Sequence, residues 1–158
     1  DGDGFVVKEE YQKLYEGMNS GEFGLMAIDL VAAGGPKILW QERRVIPHVT
    51  SPILHRGVLF LIKDGGILTS FDPKTGNVLK RGRIEGAVEQ FFPSPVANDG
   101  RLYFSSSTGK IAVVSAEAEW QTLAVNDLDE QIFASPAIAD GRLFIRTRGK
   151  LYAFESKK

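Results

Sequence analysis

The 158-residue sequence has no cysteine, only two histidines and two methionines, and no excess of either charge: 19 lysines and arginines stand against 20 aspartates and glutamates. Each shortage excludes something. Without cysteine there is no disulfide, no thiolate metal site and no cysteine nucleophile, and the redox compartment stays open. A formal net charge of -1 supplies no electrostatic footprint for a nucleic-acid backbone or an anionic membrane, so no nucleic-acid partner is expected. No apolar run approaches the roughly 18 residues of a membrane span, and membrane insertion is not expected either. An aspartate at position 1 is expected to mark a processed or excised product, so absent targeting signals carry no weight. What is present is a 43% hydrophobic content, enough for a sizeable core at a length typical of one domain.

The informative feature is repetition. Three segments align, SPILHRGVLFLIKDGGIL, SPVANDGRLYFSSSTGKI and SPAIADGRLFIRTRGKL, opening at Ser51, Ser94 and Ser135 with spacings of 43 and 41 residues. Each carries a glycine six positions on, at Gly57, Gly100 and Gly141. Proline near the start of a short strand leaves no ladder hydrogen bond unmade, so Ile53-Leu54, Val96-Ala97 and Ala137-Ile138 read as inner strands. The Asn98-Asp99-Gly100 and Ala139-Asp140-Gly141 runs predict hairpin turns, where glycine accepts a positive φ. Second strands follow at Val58 to Ile62, Leu102 to Ser105 and Leu143 to Arg146. Third strands follow at Ile67 to Phe71, Ile111 to Ser115 and Leu151 to Phe154, each after a glycine turn. Fourth strands are expected at Val78 to Arg81 and near Trp120 to Val125. Four short antiparallel strands in each unit of about forty residues describe a β-propeller blade.

Upstream, GLMAIDLVAAGGPKILWQERR matches the third and fourth strands of the same unit, with Leu25 to Leu30 and Ile38 to Gln41 as the pair. The fold class expected is therefore all-β: an incomplete β-propeller of about three and a half four-stranded antiparallel blades, plus one short N-terminal helix. The boundaries expected are an insertion over 1–22, a partial blade over 23–44, blades over 45–86 and 87–128, and a three-stranded blade over 129–158. The chain is expected to be the C-terminal part of a longer propeller whose three-stranded last blade would take its fourth strand from the other end of the protein, with protein binding or self-association through the blade edges left open here.

The segment Gly65 to Lys80, GGILTSFDPKTGNVLK, resembles the repeat of the pyrroloquinoline-quinone-type (quinoprotein-like) β-propellers. That repeat runs from glycine through an apolar pair to aspartate, then Thr-Gly and an apolar strand often ending in tryptophan. Trp40 holds the tryptophan place in the first unit, Lys80 replaces it in the next, and Trp120 follows a shortened turn. The resemblance spans residues 23 to 155. It implies either a cofactor-free scaffold, as in outer-membrane assembly lipoproteins, or a quinone-dependent dehydrogenase. The dehydrogenases are similar to one another in a vicinal cysteine pair that this sequence lacks, so no quinone and no catalysis are expected in this segment. The reading favoured is protein or ligand binding or scaffolding in a periplasmic or secreted protein. The alternative is part of a quinone-dependent dehydrogenase whose catalytic blades lie elsewhere.

The opening DGDGFVVKEEY resembles the second half of an EF-hand. With Asp1 at loop position 3, Asp3 falls at 5, Gly4 at 6, Phe5 at 7 and Glu10 at 12, the bidentate position. Asp1, Asp3, Phe5 and Glu10 are the candidate calcium ligands. Tyr11, Leu14, Tyr15 and Met18 then share one face of a helix that Asn19-Ser20-Gly21 ends. Acidic residues ahead of a helix also serve as ordinary caps. His48 and His55 have no third ligand at metal-site spacing and read as surface or packing residues. Asn126 to Glu130 reads as a solvated acidic loop on a face where partners bind. Arg43, Arg44, Arg81 and Arg83 read as edge charge against sheet addition. Repetition of Ser51, Ser94 and Ser135 at equivalent places argues for a structural role rather than a nucleophilic one. Since the ligand of loop position 1 is missing and Asp1 bears an α-amino charge, calcium binding is expected to be weak or absent. Titration calorimetry should give no dissociation constant below about a micromolar, the sensor range, and one in that range would contradict the reading.

Overall fold

The computed structural model describes Lys8, Gln12 and residues 24–33, 35–44 and 46–155. The expected calcium ligands Asp1, Asp3, Phe5 and Glu10, and most of the expected helix, lie outside the described residues. The chain divides into two compact units, Asp1–Ile46 and Pro47–Lys158. In the first, β1 (Leu25–Asp29) pairs antiparallel with β2 (Lys37–Glu42), with a register shift between Ala27 and Ile28.

The second unit holds three antiparallel sheets in chain order. One has four strands, β3 (Ile53–His55), β4 (Val58–Lys63), β5 (Ile67–Phe71) and β6 (Val78–Arg83). The next has β7 (Val96–Asn98), β8 (Arg101–Ser105), β9 (Lys110–Ser115) and β10 (Thr122–Asp127). The last has three, β11 (Ala137–Ala139), β12 (Arg142–Arg146) and β13 (Leu151–Glu155). Each strand pairs with its sequence neighbour, as short hairpins require. At the first turn of each sheet two successive residues take positive φ: Arg56 and Gly57 at 49° and 78°, Asp99 and Gly100 at 46° and 71°, Asp140 and Gly141 at 48° and 73°. That is the type I′ pattern, whose twist matches the flanking strands.

Consecutive sheets touch through their first strands, β3 with β7 and β7 with β11. The Ser-Pro repeat explains the contact. The backbone N–H of Ser51 donates to Ser94 Oγ at 3.0 Å, and that of Ser94 donates to Ser135 Oγ at 2.9 Å. The hydroxyls of Ser94 and Ser135 thus each satisfy the N–H of the serine one repeat earlier, a structural role. Away from these strands the faces pack through apolar side chains. Phe60, Ile62 and Leu68 of one sheet meet Leu102, Phe104 and Val114 of the next, all buried. Alternation along β4 and β8 places these residues on facing sides.

Trp120 locks that interface. It lies in the connection between β9 and β10, is buried, and reaches back to β6, where a Cβ on Gly82 would stand 3.1 Å from its Cη2. Its backbone carbonyl accepts a bond from Lys80 Nζ at 2.6 Å, and the same ammonium sits 4.7 Å from the centre of its ring. The fourth strand expected from Trp120 therefore begins two residues later, at Thr122. The tryptophan is spent on the neighbouring sheet rather than on strand pairing. The fold is all-β, an incomplete β-propeller in which, among the described residues, two blades have four strands, one has three and one is represented by a strand pair.

Truncating Trp120 empties a fully packed contact between sheets. Trp120→Ala is expected to cost about 3–5 kcal/mol, whereas Ser94→Ala should cost only about 1 kcal/mol. Equilibrium urea unfolding of the two variants measures both. Equal costs would contradict the interlock.

Candidate binding surface

The turns between second and third strands lie beneath the connections that join one sheet to the next. Gly65 N–H donates to Glu89 O at 3.0 Å and Ser107 N–H to Gln90 O at 2.8 Å, so one connection is fastened to the turns of two sheets. The next connection repeats this, with Leu128 N–H on Gly109 O at 3.1 Å and Arg148 N–H on Gln131 O at 2.8 Å. At Gly109 the approach is so close that a Cβ would stand 2.6 Å from Glu130 O, at a φ of 112° that also favours glycine.

Glu130 is the most strongly engaged carboxylate of this surface. Lys150 Nζ lies 2.7 Å from Oε1, while Thr147 Oγ1 and Gly149 N–H donate to Oε2 at 2.5 and 3.2 Å. The Lys150 bond, then the Thr147 bond, lowers its pKa from 4.5 to about 2, against the opposing effect of partial burial. The same bond to Glu130 raises Lys150. Asn126 to Glu130 is thus only partly the solvated loop expected. Asn126 and Asp127 belong to β10, Asp127 lies 3.6 Å from Lys110, and Glu130 braces the β12–β13 turn. These partners are distant in sequence or reached only through the hairpin, which is why the acidic run alone reads as solvent-facing.

The other sequence-selected residues do not converge. His48 Nδ1 lies 3.2 Å from Asp64 Oδ2 with its side chain 84% exposed, and Asp64 also accepts the Phe91 N–H at 3.0 Å. His55 is half-buried, with no partner for its Nε2. Arg43 bonds Gln41 Oε1 at 3.0 Å, and Arg83 donates to the carbonyl of Gly65. Among the described residues no group of three or more histidines, aspartates or glutamates is placed to hold a metal ion.

The last sheet presents a different kind of surface. Among the described residues β13 is its edge strand, without an outer neighbour such as β5 and β9 have in β6 and β10. Leu151 is 71% exposed, and Tyr152 and Phe154 stack at 5.8 Å. Arg146 is exposed at the place that buried Ile62 and Ser105 hold in the two preceding sheets. Between the third and fourth strand-paired sheets lies a cleft of about 430 Å³, lined by Tyr103, Val113, Asn126, Leu143 and Phe154 among others. Of the five named here only Asn126 was selected from the sequence, as part of the acidic run Asn126 to Glu130. Superposing the repeats position by position adds that it replaces Gly82, the seat of Trp120.

Antiparallel sheets joined through their first strands and locked by a tryptophan define a propeller segment of the quinoprotein-like class. The family model described as outer membrane protein assembly factor BamB matches residues 19–158, and the chain belongs to that family. Among solved structures it is similar to BamB from Moraxella catarrhalis, with a TM-score of 0.60 and 15% identity over 75% of this chain. It is also similar to a europium-containing methanol dehydrogenase, with a TM-score of 0.50 and 14% identity over 65% of this chain. The chain covers 36% of the first and 21% of the second. No curated protein matches the sequence.

The Glu130 cluster has a definite acid response. A carboxylate whose folded pKa lies below its unfolded value contributes stability that is full above about 4.5 and is lost as pH falls toward 2. Glu130→Gln should therefore unfold at a lower temperature than the parent at pH 6, with the gap closing between pH 4.5 and 2. Thermal melts across that range check this, and a gap independent of pH would contradict it.

Proposed function

We propose that this chain is a non-catalytic propeller segment that binds proteins as a scaffold, within a larger protein of the periplasm or of a secreted fraction. The observation that carries the reading is the family match over residues 19–158, to a family described as an assembly factor. The surface described above suits that role. An edge strand, exposed apolar side chains and a charged turn offer contacts to another polypeptide, while the sequence has no cysteine for the vicinal pair of the dehydrogenases. Self-association through the same edges is a second way to cover them. The remnant at Asp1, Asp3, Phe5 and Glu10 would add at most a weak calcium site, held by carboxylates and the Phe5 carbonyl.

The dehydrogenase reading is supported only at the level of fold. The two readings separate in one pair of assays on the purified chain. A urea-unfolded outer-membrane β-barrel polypeptide, diluted onto the immobilised chain, should bind saturably. Added pyrroloquinoline quinone with calcium should yield no dye-linked alcohol oxidation. Quinone-dependent oxidation without polypeptide binding would overturn the scaffold reading.

A further inference from the structure

Three hairpin turns hold equivalent places in their sheets, joining β1 to β2, β5 to β6 and β9 to β10. The first two begin alike. Asp29 Oδ1 accepts the N–H of Val31 at 3.0 Å, and Asp72 Oδ1 accepts that of Lys74 at 2.8 Å, the same aspartate turn in both. Leu30 and Val31 therefore stand where Pro73 and Lys74 stand. In the second turn Lys74 and Thr75 are exposed, and in the third Glu117 and Glu119 are. That place faces solvent even in sheets with all four strands, and there it takes polar side chains. The first turn breaks the rule. Its sequence, LVAAGGP over residues 30–36, offers no charged or hydrogen-bonding side chain. Leu30 is 74% and Val31 92% exposed, and Ala33 and Pro36 are exposed beside them.

An apolar hairpin tip of this kind suits a lipid surface better than a protein groove. A protein partner is held in register by hydrogen bonds, and no side chain of the tip can make one. Its backbone is partly spoken for as well, since Asp29 takes the Val31 N–H and Ala32 O takes the Gly35 N–H at 3.1 Å. Satisfied N–H groups lower the cost of entering an apolar layer. The next residue, Lys37, is exposed and opens β2, where its stem can run beside the tip and its ammonium stay in water. We propose that the turn between β1 and β2 docks on a phospholipid surface, with Leu30 and Val31 at the boundary between headgroups and acyl chains and Lys37 at a phosphate. This is contact with a surface and not a span, for which seven residues are far too few. Apolar area carries the contact, so a chain of net charge -1 can make it without an anionic lipid.

The sequence has no cysteine, so Val31→Cys takes a single environment-sensitive nitrobenzoxadiazole label at the tip and Lys74→Cys takes it at the equivalent turn. Both positions are exposed, and neither substitution disturbs packed side chains. Each labelled full chain is titrated with phosphatidylcholine vesicles, with and without phosphatidylglycerol. Two side chains hold a bilayer less firmly than one myristoyl chain, whose association constant is about 10⁴ M⁻¹, so the titration extends to about millimolar lipid. The Val31→Cys label should brighten and shift to the blue on both kinds of vesicle, while the Lys74→Cys label stays unchanged. Leu30→Ser in the Val31→Cys chain should weaken the apparent affinity roughly tenfold, the loss of one buried aliphatic side chain. A silent tip label, or an equal response from both labels, overturns the proposal. So does a response that needs phosphatidylglycerol, because charge would then carry the contact. A tip label that answers to the urea-unfolded β-barrel polypeptide and not to vesicles overturns it too, making the turn a protein contact. The scaffold reading stands or falls separately, on polypeptide binding by the unlabelled chain.

Discussion

A side chain reaching from one sheet onto the bare backbone of the sheet before it is the contact on which the rest of the second unit depends. Gly82 has no Cβ, and a Cβ there would come within 3.1 Å of Trp120, so the indole and the strand need each other's shape. Once the ring is seated, Lys80 spans its face and its carbonyl, and the facing apolar rows from Phe60 to Leu68 and from Leu102 to Val114 close around it. Nearer the first strands, the serine hydroxyls repeat a smaller version of the same device, one hydrogen bond per repeat. Sheets fastened at both places behave as stacked units whose stability is a sum of neighbour terms. Among the described residues the last sheet has a face and an edge that the two sheets before it use internally.

That asymmetry gives the surface its chemistry. The turn between β12 and β13 is held open and fixed by Glu130, whose bonds to Thr147, Gly149 and Lys150 tie it to the preceding connection. Arg146 takes the place of buried Ile62 and Ser105, which sets a charge where the internal blades have packed side chains. Family membership over residues 19–158 supports a propeller segment, and polypeptide binding is the reading proposed for it.

Much of this was legible in the sequence because the repeats carry it. The Ser-Pro starts, the glycine turns and the apolar runs located the strands within two residues, since each signal reports a local backbone requirement: a missing N–H, a positive φ, a pleated face. Trp120 was misplaced in a strand because its partner, Gly82, lies in another sheet. Glu130 read as one of a solvated acidic run for the same reason: its donors are 17 and 19 residues away, across a hairpin. His48 and Asp64 likewise meet only in the folded unit. The candidate calcium ligands Asp1, Asp3, Phe5 and Glu10 fall outside the described residues, and their assignment rests on loop spacing alone.

The central claim is that, among the described residues, β13 is an edge where β5 and β9 are interior. Native-state amide hydrogen exchange resolved by residue tests it directly. Interior strands should exchange only through large-scale opening, while the outward amides of Leu151–Glu155 should exchange orders of magnitude faster than those of Ile67–Phe71 and Lys110–Ser115. Protection of β13 equal to that of β9 would contradict the account.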